Sequence, residues 1–324
     1  MGCSGLSGRR LRSALFILAV VLCSLLYTSP LPSPAPHLAQ PATSCGGGLP
    51  PHSHDRVLVL LLCKSATART LERLRTLAAA GLDAHAVPDE EPLPAALQAG
   101  RVHWAPTAAV QAAGMLLLNP KMDANVSTWD RALLYASTAN QGRHVWLVED
   151  DVWFPSAGAL ARVVDAYASR AEDLVASELL SRGPGVDEEP WYWFQDGHVL
   201  QVRGLGGAVM LPRYPGAPTM GTLNVLCRLS PRLVAEVAAM GRAHGRLILH
   251  EALFPSIVAA KWEAGWSLTW LAHPWAVIRW RPLVLLEEAR AGARSHGWLV
   301  VHPVKLNASL AFEQDAVLEG EDAA

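Results

Sequence analysis

The chain has 324 residues, of which 51% are apolar and 17% charged, enough to bury a large core and too apolar for a disordered chain. With 27 Lys and Arg against 29 Asp and Glu, the formal charge is −2, which leaves no electrostatic footprint for nucleic acid. That length accommodates one large α/β domain or two small ones.

At the N-terminus, Arg9, Arg10 and Arg12 precede an uncharged run from Ser13 to Tyr27. Those fifteen residues are short of the ~20 that comfortably span a bilayer and near the upper limit for the apolar part of a signal peptide. The run continues without a charge to Leu31, and no clean small-x-small cleavage site follows it closely. We therefore expect a cytoplasmic tail at 1–12 and an uncleaved signal-anchor at 13–31, with the arginines cytoplasmic and the C-terminus luminal. A cleaved signal with a late site at Ser33 to Ala35 is the alternative. Residues 32–54 are rich in Pro, Ala, Ser and Gly and read as a semi-rigid stalk, ahead of a luminal domain at 55–315 and an acidic tail at 316–324. Sequons at Asn125 and Asn307 agree with a luminal domain. Of the five cysteines, Cys45, Cys63 and Cys227 would be luminal, so at most one disulfide forms there, with Cys63 and Cys227 the favoured pair if they meet. No CxxC or Cys/His cluster offers a zinc site.

The domain alternates strand and helix. Val57 to Cys63 is a continuous apolar run, the mark of a strand buried on both faces. A helix follows with Leu71, Leu74 and Leu77 on one face and Gly81 as its stop. Asp83 to Val87 reads as a short strand ending near Asp89, and Trp129 to Asn140 as a helix with Thr128 as N-cap. His144 to Val148 is the next buried strand; Ser156 then caps a helix carrying Leu160, Val163, Val164 and Tyr167. Ser230 and Pro231 start another, with Leu233, Val234, Val237 and Ala238 inward and closure expected at Gly241. His250 and Glu251 stand before or at the start of a further helix whose first turn holds Pro255. This alternation predicts an α/β fold with a mostly parallel sheet flanked by helices.

The chemistry concentrates at V-W-L-V-E-D-D-V-W-F, residues 145–154, where Glu149, Asp150 and Asp151 end a buried strand. Ligands of open α/β sheets bind outside the carboxyl ends of the strands. Three adjacent carboxylates raise one another's pKa unless a cation neutralises them, and such hard oxygen ligands suit Mg²⁺ or Mn²⁺. A solvated turn is the bland alternative.

A strand ending in Glu-Asp-Asp after an anchor and stalk resembles the DxD-type motif of Golgi glycosyltransferases with the GT-A fold. The form is closest to the variant in N-acetylglucosaminyltransferase-like enzymes. The resemblance rests on short blocks over residues 55–305. It implies a GT-A-like domain on a single-pass type II Golgi membrane protein, and the short span suits a thin membrane of the early secretory pathway. It further implies a Mn²⁺- or Mg²⁺-dependent transferase that moves a sugar from a nucleotide-sugar donor to a glycan, glycoprotein or glycolipid acceptor. On that likeness Asp151 holds the metal, Asp150 and Glu149 contact sugar or ribose, and Asp89 takes a nucleoside-binding place. Glu251 corresponds to the base of the inverting members, and His302, which ends the apolar run from Trp298, to a C-terminal metal-binding histidine. His296 competes for that role. Gly206 and Gly207, within R-G-L-G-G, correspond to a glycine loop near donor and acceptor. Trp191, Trp193 and Trp298 are candidates for stacking on a sugar ring. A non-catalytic luminal protein of the same fold, binding glycans or partner transferases, is the alternative. A sulfotransferase is disfavoured, because Cys63-Lys64-Ser65-Ala66-Thr67 lacks the glycines of a phosphate-cradling loop.

Overall fold

A computed structural model describes residues 57–304, apart from 99, 119–125, 178, 182–219, 272–273 and 279–283. They belong to a compact unit that begins at His52. The expected tail, anchor and stalk at 1–54, the acidic tail at 316–324, Asn125, Asn307 and Cys45 lie outside the described residues. Among the described residues no helix is long and apolar enough to cross a membrane.

Strand β1 (Val57–Cys63) is buried along its whole length. Leu58, Leu60 and Leu62 enter one core cluster while Val57, Val59, Leu61 and Cys63 enter another, so both faces of the strand are covered. Helix α1 (Ala68–Ala79) follows, its start held by a capping box between Thr67 and Thr70. Next come β2 (Ala84–Pro88), the short helices α2 (Pro94–Gln98) and α3 (Thr107–Ala112), and the two-residue β3 (Leu117–Leu118). Helix α4 (Thr128–Ala139) leads to β4 (His144–Glu149) and α5 (Ala157–Ala166). Then follow β5 (Leu174–Ala176), β6 (Leu179–Ser181), β7 (Met220–Thr222) and β8 (Leu226–Leu229). Helix α6 (Pro231–His244), β9 (Leu247–Ile248), α7 (His250–Ala260) and β10 (Leu268–Trp270) come next. The described part closes with β11 (Ala276–Ile278), α8 (Leu286–His296) and β12 (Val300–His302).

The central sheet has six strands in the order β10-β5-β8-β4-β1-β2. The pairs β10–β5, β4–β1 and β1–β2 are parallel, whereas β8 is antiparallel to both β4 and β5. The expected α/β fold with a mostly parallel sheet is therefore what forms, with β8 as its reversed strand. Helices α4, α6 and α7 cover one face through Leu133, Leu233, Val234 and Leu253. Helices α1 and α5 cover the other through Leu74, Leu77, Leu160 and Val163. In this register Leu62 lies beside Glu149 and Cys63 beside Pro88, so the carboxyl ends of β1, β2 and β4 share one edge. A third small cluster joins β12 to α8 around Trp153, Val284, Ala289 and Val301.

Four expectations are corrected. The N-cap of α4 is Ser127 rather than Thr128, because Ser127 and Asp130 form a capping box while the Thr128 hydroxyl donates to the Val87 carbonyl at 2.5 Å. Gly241 does not end α6, which runs on to the left-handed Gly245. Gly241 instead faces Gly114 so closely that a Cβ on it would sit 2.7 Å from the Gly114 carbonyl oxygen. Pro255 lies inside α7, beyond its first turn. Cys63 and Cys227 are both free. They belong to clusters on opposite faces of the sheet, and β4 stands between their strands. Two strand spacings amount to about 10 Å, beyond the ~7 Å Cα separation that a disulfide tolerates. Burial pushes the Cys63 thiol up to about 12, with Asp150 adding to the shift, so it stays protonated.

Candidate functional site

The site forms where β4 runs out. After Glu149 the chain turns, with the Val152 amide donating to the Glu149 carbonyl at 3.2 Å. Trp153 then pairs with Val301 of β12 through two backbone bonds of 2.9 and 3.0 Å. The Val304 amide donates to the Asp151 carbonyl at 3.2 Å. These bonds fix β12 against the turn, so His302, one residue past Val301, is delivered to the acids. Its Nε2 lies 3.3 Å from Asp151 Oδ1. Glu149, Asp151 and His302 each present one ligand atom, and these atoms lie within 4.8 Å of one another. Asp150 accepts a hydrogen bond from the amide of Lys64, just past the end of β1. His296, the competing histidine, is exposed at the end of α8 and takes no part in the trio.

Electrostatics put the trio under tension. Burial, and after it the neighbouring Asp151 charge, push the Glu149 carboxyl up to about 7. The Trp129 indole and His302 act the other way. Trp129 Nε1 donates to Glu149 Oε1 at 2.8 Å, which favours the ionised carboxylate. The indole is held in the first turn of α4 by Asp130, which accepts from the Ser127 amide at 2.6 Å and also from the Ser127 hydroxyl and the Leu117 amide. Asp150 is likewise raised, by burial first and by Asp151 second.

The other face of Trp129 brings in α7. His250, its first residue, stacks on the indole with ring centroids 3.7 Å apart and 10° between planes. His250 is buried, which holds it neutral down to about 3, and its Nδ1 has no hydrogen-bond partner among the described residues. His250 is thus held by stacking on Trp129. The helix start is pinned by Asn224 Nδ2, which donates to the His250 carbonyl at 3.0 Å, and Asn224 Oδ1 accepts from the Thr222 hydroxyl at 2.6 Å. Glu251 follows as the second residue of α7 and is buried, with its carboxylate at the end of a helix that favours negative charge.

Asp89 stands one residue past β2 on the same edge as the acids. Its amide donates to the Cys63 carbonyl at 2.8 Å, and its Oδ1 accepts from Arg131 Nη1 at 3.1 Å. Arg131 is buried and gives two further bonds of 2.9 Å, to the Ala105 and Val126 carbonyls. Its guanidinium lies 5.4 Å from the Trp104 ring centroid. Asp89 is thus a fixed ion-pair partner rather than a loose loop acid. Gly206, Gly207, Trp191 and Trp193 lie outside the described residues. Sequence reasoning missed Trp129, Arg131 and Asn224 as parts of the site. The only signal for Trp129 was its place at a helix start, 20 residues before Glu149.

Two carboxylates and an imidazole form a mixed oxygen and nitrogen donor set of the kind that suits Mn²⁺, and to a lesser degree Mg²⁺. A divalent cation there would offset both the burial and the Asp151 charge that lift Glu149. The donor set is compatible with a divalent metal and does not identify it. No family model and no curated protein matches the chain. Among solved structures, the apo form of mouse xyloside xylosyltransferase 1 is similar at 10% identity and a TM-score of 0.34. That likeness covers 76% of this chain and 96% of the other. So loose a likeness carries no argument about the chemistry; the fold class stands on this chain's own sheet order.

Proposed function

We propose that this protein is a divalent-metal-dependent glycosyltransferase that moves a sugar from a nucleotide-sugar donor to a glycan, glycoprotein or glycolipid acceptor with inversion. The observation that carries the reading is the convergence of Glu149, Asp151 and His302 at the carboxyl edge of the sheet. In open α/β sheets that edge is where ligands bind. Asp151 and His302 would hold the cation, with Glu149 completing the set. A bound cation supplies Lewis-acid stabilisation of the diphosphate as it leaves.

The chain's own residues then have separate tasks. Asp150 and Asp89, just past the carboxyl ends of β4 and β2 on either side of β1, would take hydroxyls of the donor sugar or ribose. Glu251 acts as general base: the acceptor oxygen attacks the anomeric carbon, its proton passes to the Glu251 carboxylate, and the bond to the nucleotide diphosphate breaks. Gly206 and Gly207 remain candidates for the loop beside donor and acceptor. Localisation follows the sequence reading, a type II Golgi membrane protein anchored by 13–31 with the catalytic domain luminal.

The test is to incubate the purified full-length chain with a panel of nucleotide sugars, with and without Mn²⁺. Mn²⁺-dependent release of nucleotide from one donor is the expected outcome. Absence of release from every donor, with nucleotide binding intact, would leave the non-catalytic reading in its place.

A further inference from the structure

Across β12 from the metal trio lies a cavity of about 490 Å³, whose lining includes Trp153, Ser156, Arg162, Arg290, Arg294 and Trp298. Neighbouring residues of a strand point to opposite faces. Val301 packs with Trp153 and Ala289 in the small cluster, so His302 next to it faces the other way. The cavity and the trio are therefore on different sides of one strand.

Its chemistry differs from that of the trio. Arg290 and Arg294 are one turn apart on α8, and Arg162 reaches in from α5. Like charges spaced this way repel on a bare helix. Arg290 is partly neutralised by Glu287, 3.3 Å away. Arg162 and Arg294 have no carboxylate partner among the described residues. Beside them the Trp298 indole packs on α8 at Gly292, where a Cβ would come within 2.0 Å of the ring. Only a residue without a side chain admits the indole there, and the Trp298 amide also donates to the Gly292 carbonyl at 3.3 Å. The ring is thus held against α8 and also lines the cavity.

An immobilised indole offers a flat apolar face to the C–H surface of a sugar ring, at little cost in lost rotamers. Guanidinium forks match the planar oxygens of a carboxylate, sulfate or phosphate. The volume falls in the range of small-ligand sites and suits one or two sugar rings. We propose that this cavity is a second saccharide site, selective for a sugar that carries an anionic group, with Trp298 as its stacking floor and Arg162, Arg290 and Arg294 as its anion clamp. The inference does not depend on the transferase reading.

Calorimetry of the full-length chain tests it with four probes: N-acetylglucosamine 6-sulfate, N-acetylglucosamine 6-phosphate, neutral N-acetylglucosamine and inorganic sulfate. The charged sugars should bind at least about tenfold more tightly than either the neutral sugar or free sulfate. Chelation of divalent metal should leave that preference unchanged, which separates this cavity from the metal trio. The Arg162→Gln/Arg294→Gln double variant alters two exposed side chains, and it should lose the preference while melting like the wild type. Equal affinity for charged and neutral sugars, equal affinity for sugar sulfate and free sulfate, or an unaltered preference in the double variant would each overturn the proposal. Loss of the preference on chelation would overturn it too, by assigning the binding to the trio.

Discussion

Trp129→Phe is the most informative perturbation of the trio, because it removes one hydrogen bond and leaves most of the packing. The aromatic ring still covers His250, while the 2.8 Å bond from Nε1 to Glu149 Oε1 is gone. A hydrogen bond to an ionised group is worth about 1.5–3 kcal/mol, and loss of a partner that orients a metal ligand typically weakens metal affinity about 10–100-fold. The two figures agree, since about 1.4 kcal/mol is one tenfold step. The direction follows from the carboxyl itself. Glu149 is already pushed up to about 7 by burial and Asp151, and the indole pulls the other way, so the variant raises it further. Metal binding needs the ionised form, so affinity falls with acidity below that pKa, and the variant shifts this fall to higher pH. In the metal-free chain a raised carboxyl pKa means the folded state keeps its proton longer than the unfolded one. Stability from this group is therefore lost as pH rises from 4.5 through about 7, and the loss is larger in the variant. Mn²⁺ calorimetry between pH 6 and 8.5, with melting curves on the metal-free protein, measures both effects. An Mn²⁺ affinity and pH profile identical to wild type would refute the role given to the indole.

Glu251→Gln keeps volume and hydrogen-bonding reach but removes the proton acceptor, so turnover should fall about 10²–10⁴-fold with donor affinity nearly unchanged. Near-normal turnover, or retention of the donor's anomeric configuration in the product, would return Glu251 to a structural role. Gly241→Ala puts a Cβ 2.7 Å from the Gly114 carbonyl oxygen and should cost about 1–3 kcal/mol in urea unfolding, whereas a cost near zero would mean that the contact between Gly114 and α6 is looser than described. His250 is held neutral down to about 3 by burial, while the unfolded chain takes up its proton near 6.5. Stability should therefore fall as pH drops through that window, by up to about 1.4 kcal/mol per unit. His250→Gln should flatten this acid limb, and an unchanged slope would count against the buried neutral histidine.

The strands that carry the site were legible because they are apolar on both faces. A run such as Val57–Cys63 has one reading, and a run that ends in three acids marks the functional edge of the sheet. The three short strands β5, β8 and β10 were not legible. Each has only three or four residues, and β8 places Arg228 in the core, where its two terminal nitrogens donate to the Tyr167 and Glu172 carbonyls. No local pattern announces such an arginine. The reversal of β8 is a property of its pairing with β4 and β5, which periodicity does not encode. The same gap explains the cysteines: counting makes Cys63 and Cys227 a pair, while strand order and face alternation keep them apart. Glu149, Asp151 and His302 were each picked out singly. Their convergence depends on the Trp153–Val301 pairing, which spans most of the domain. The role of Trp129 depends on a contact between helix and strand that spacing alone does not disclose.

Anomalous diffraction from crystals soaked with Mn²⁺ and a nucleoside diphosphate addresses the central claim most directly. The account predicts one strong Mn²⁺ peak at about 2–2.3 Å from a carboxylate oxygen of Asp151 and from His302 Nε2, beside Glu149, with diphosphate oxygens on its open side. No peak at millimolar Mn²⁺, or one bound away from Asp151 and His302, would contradict it.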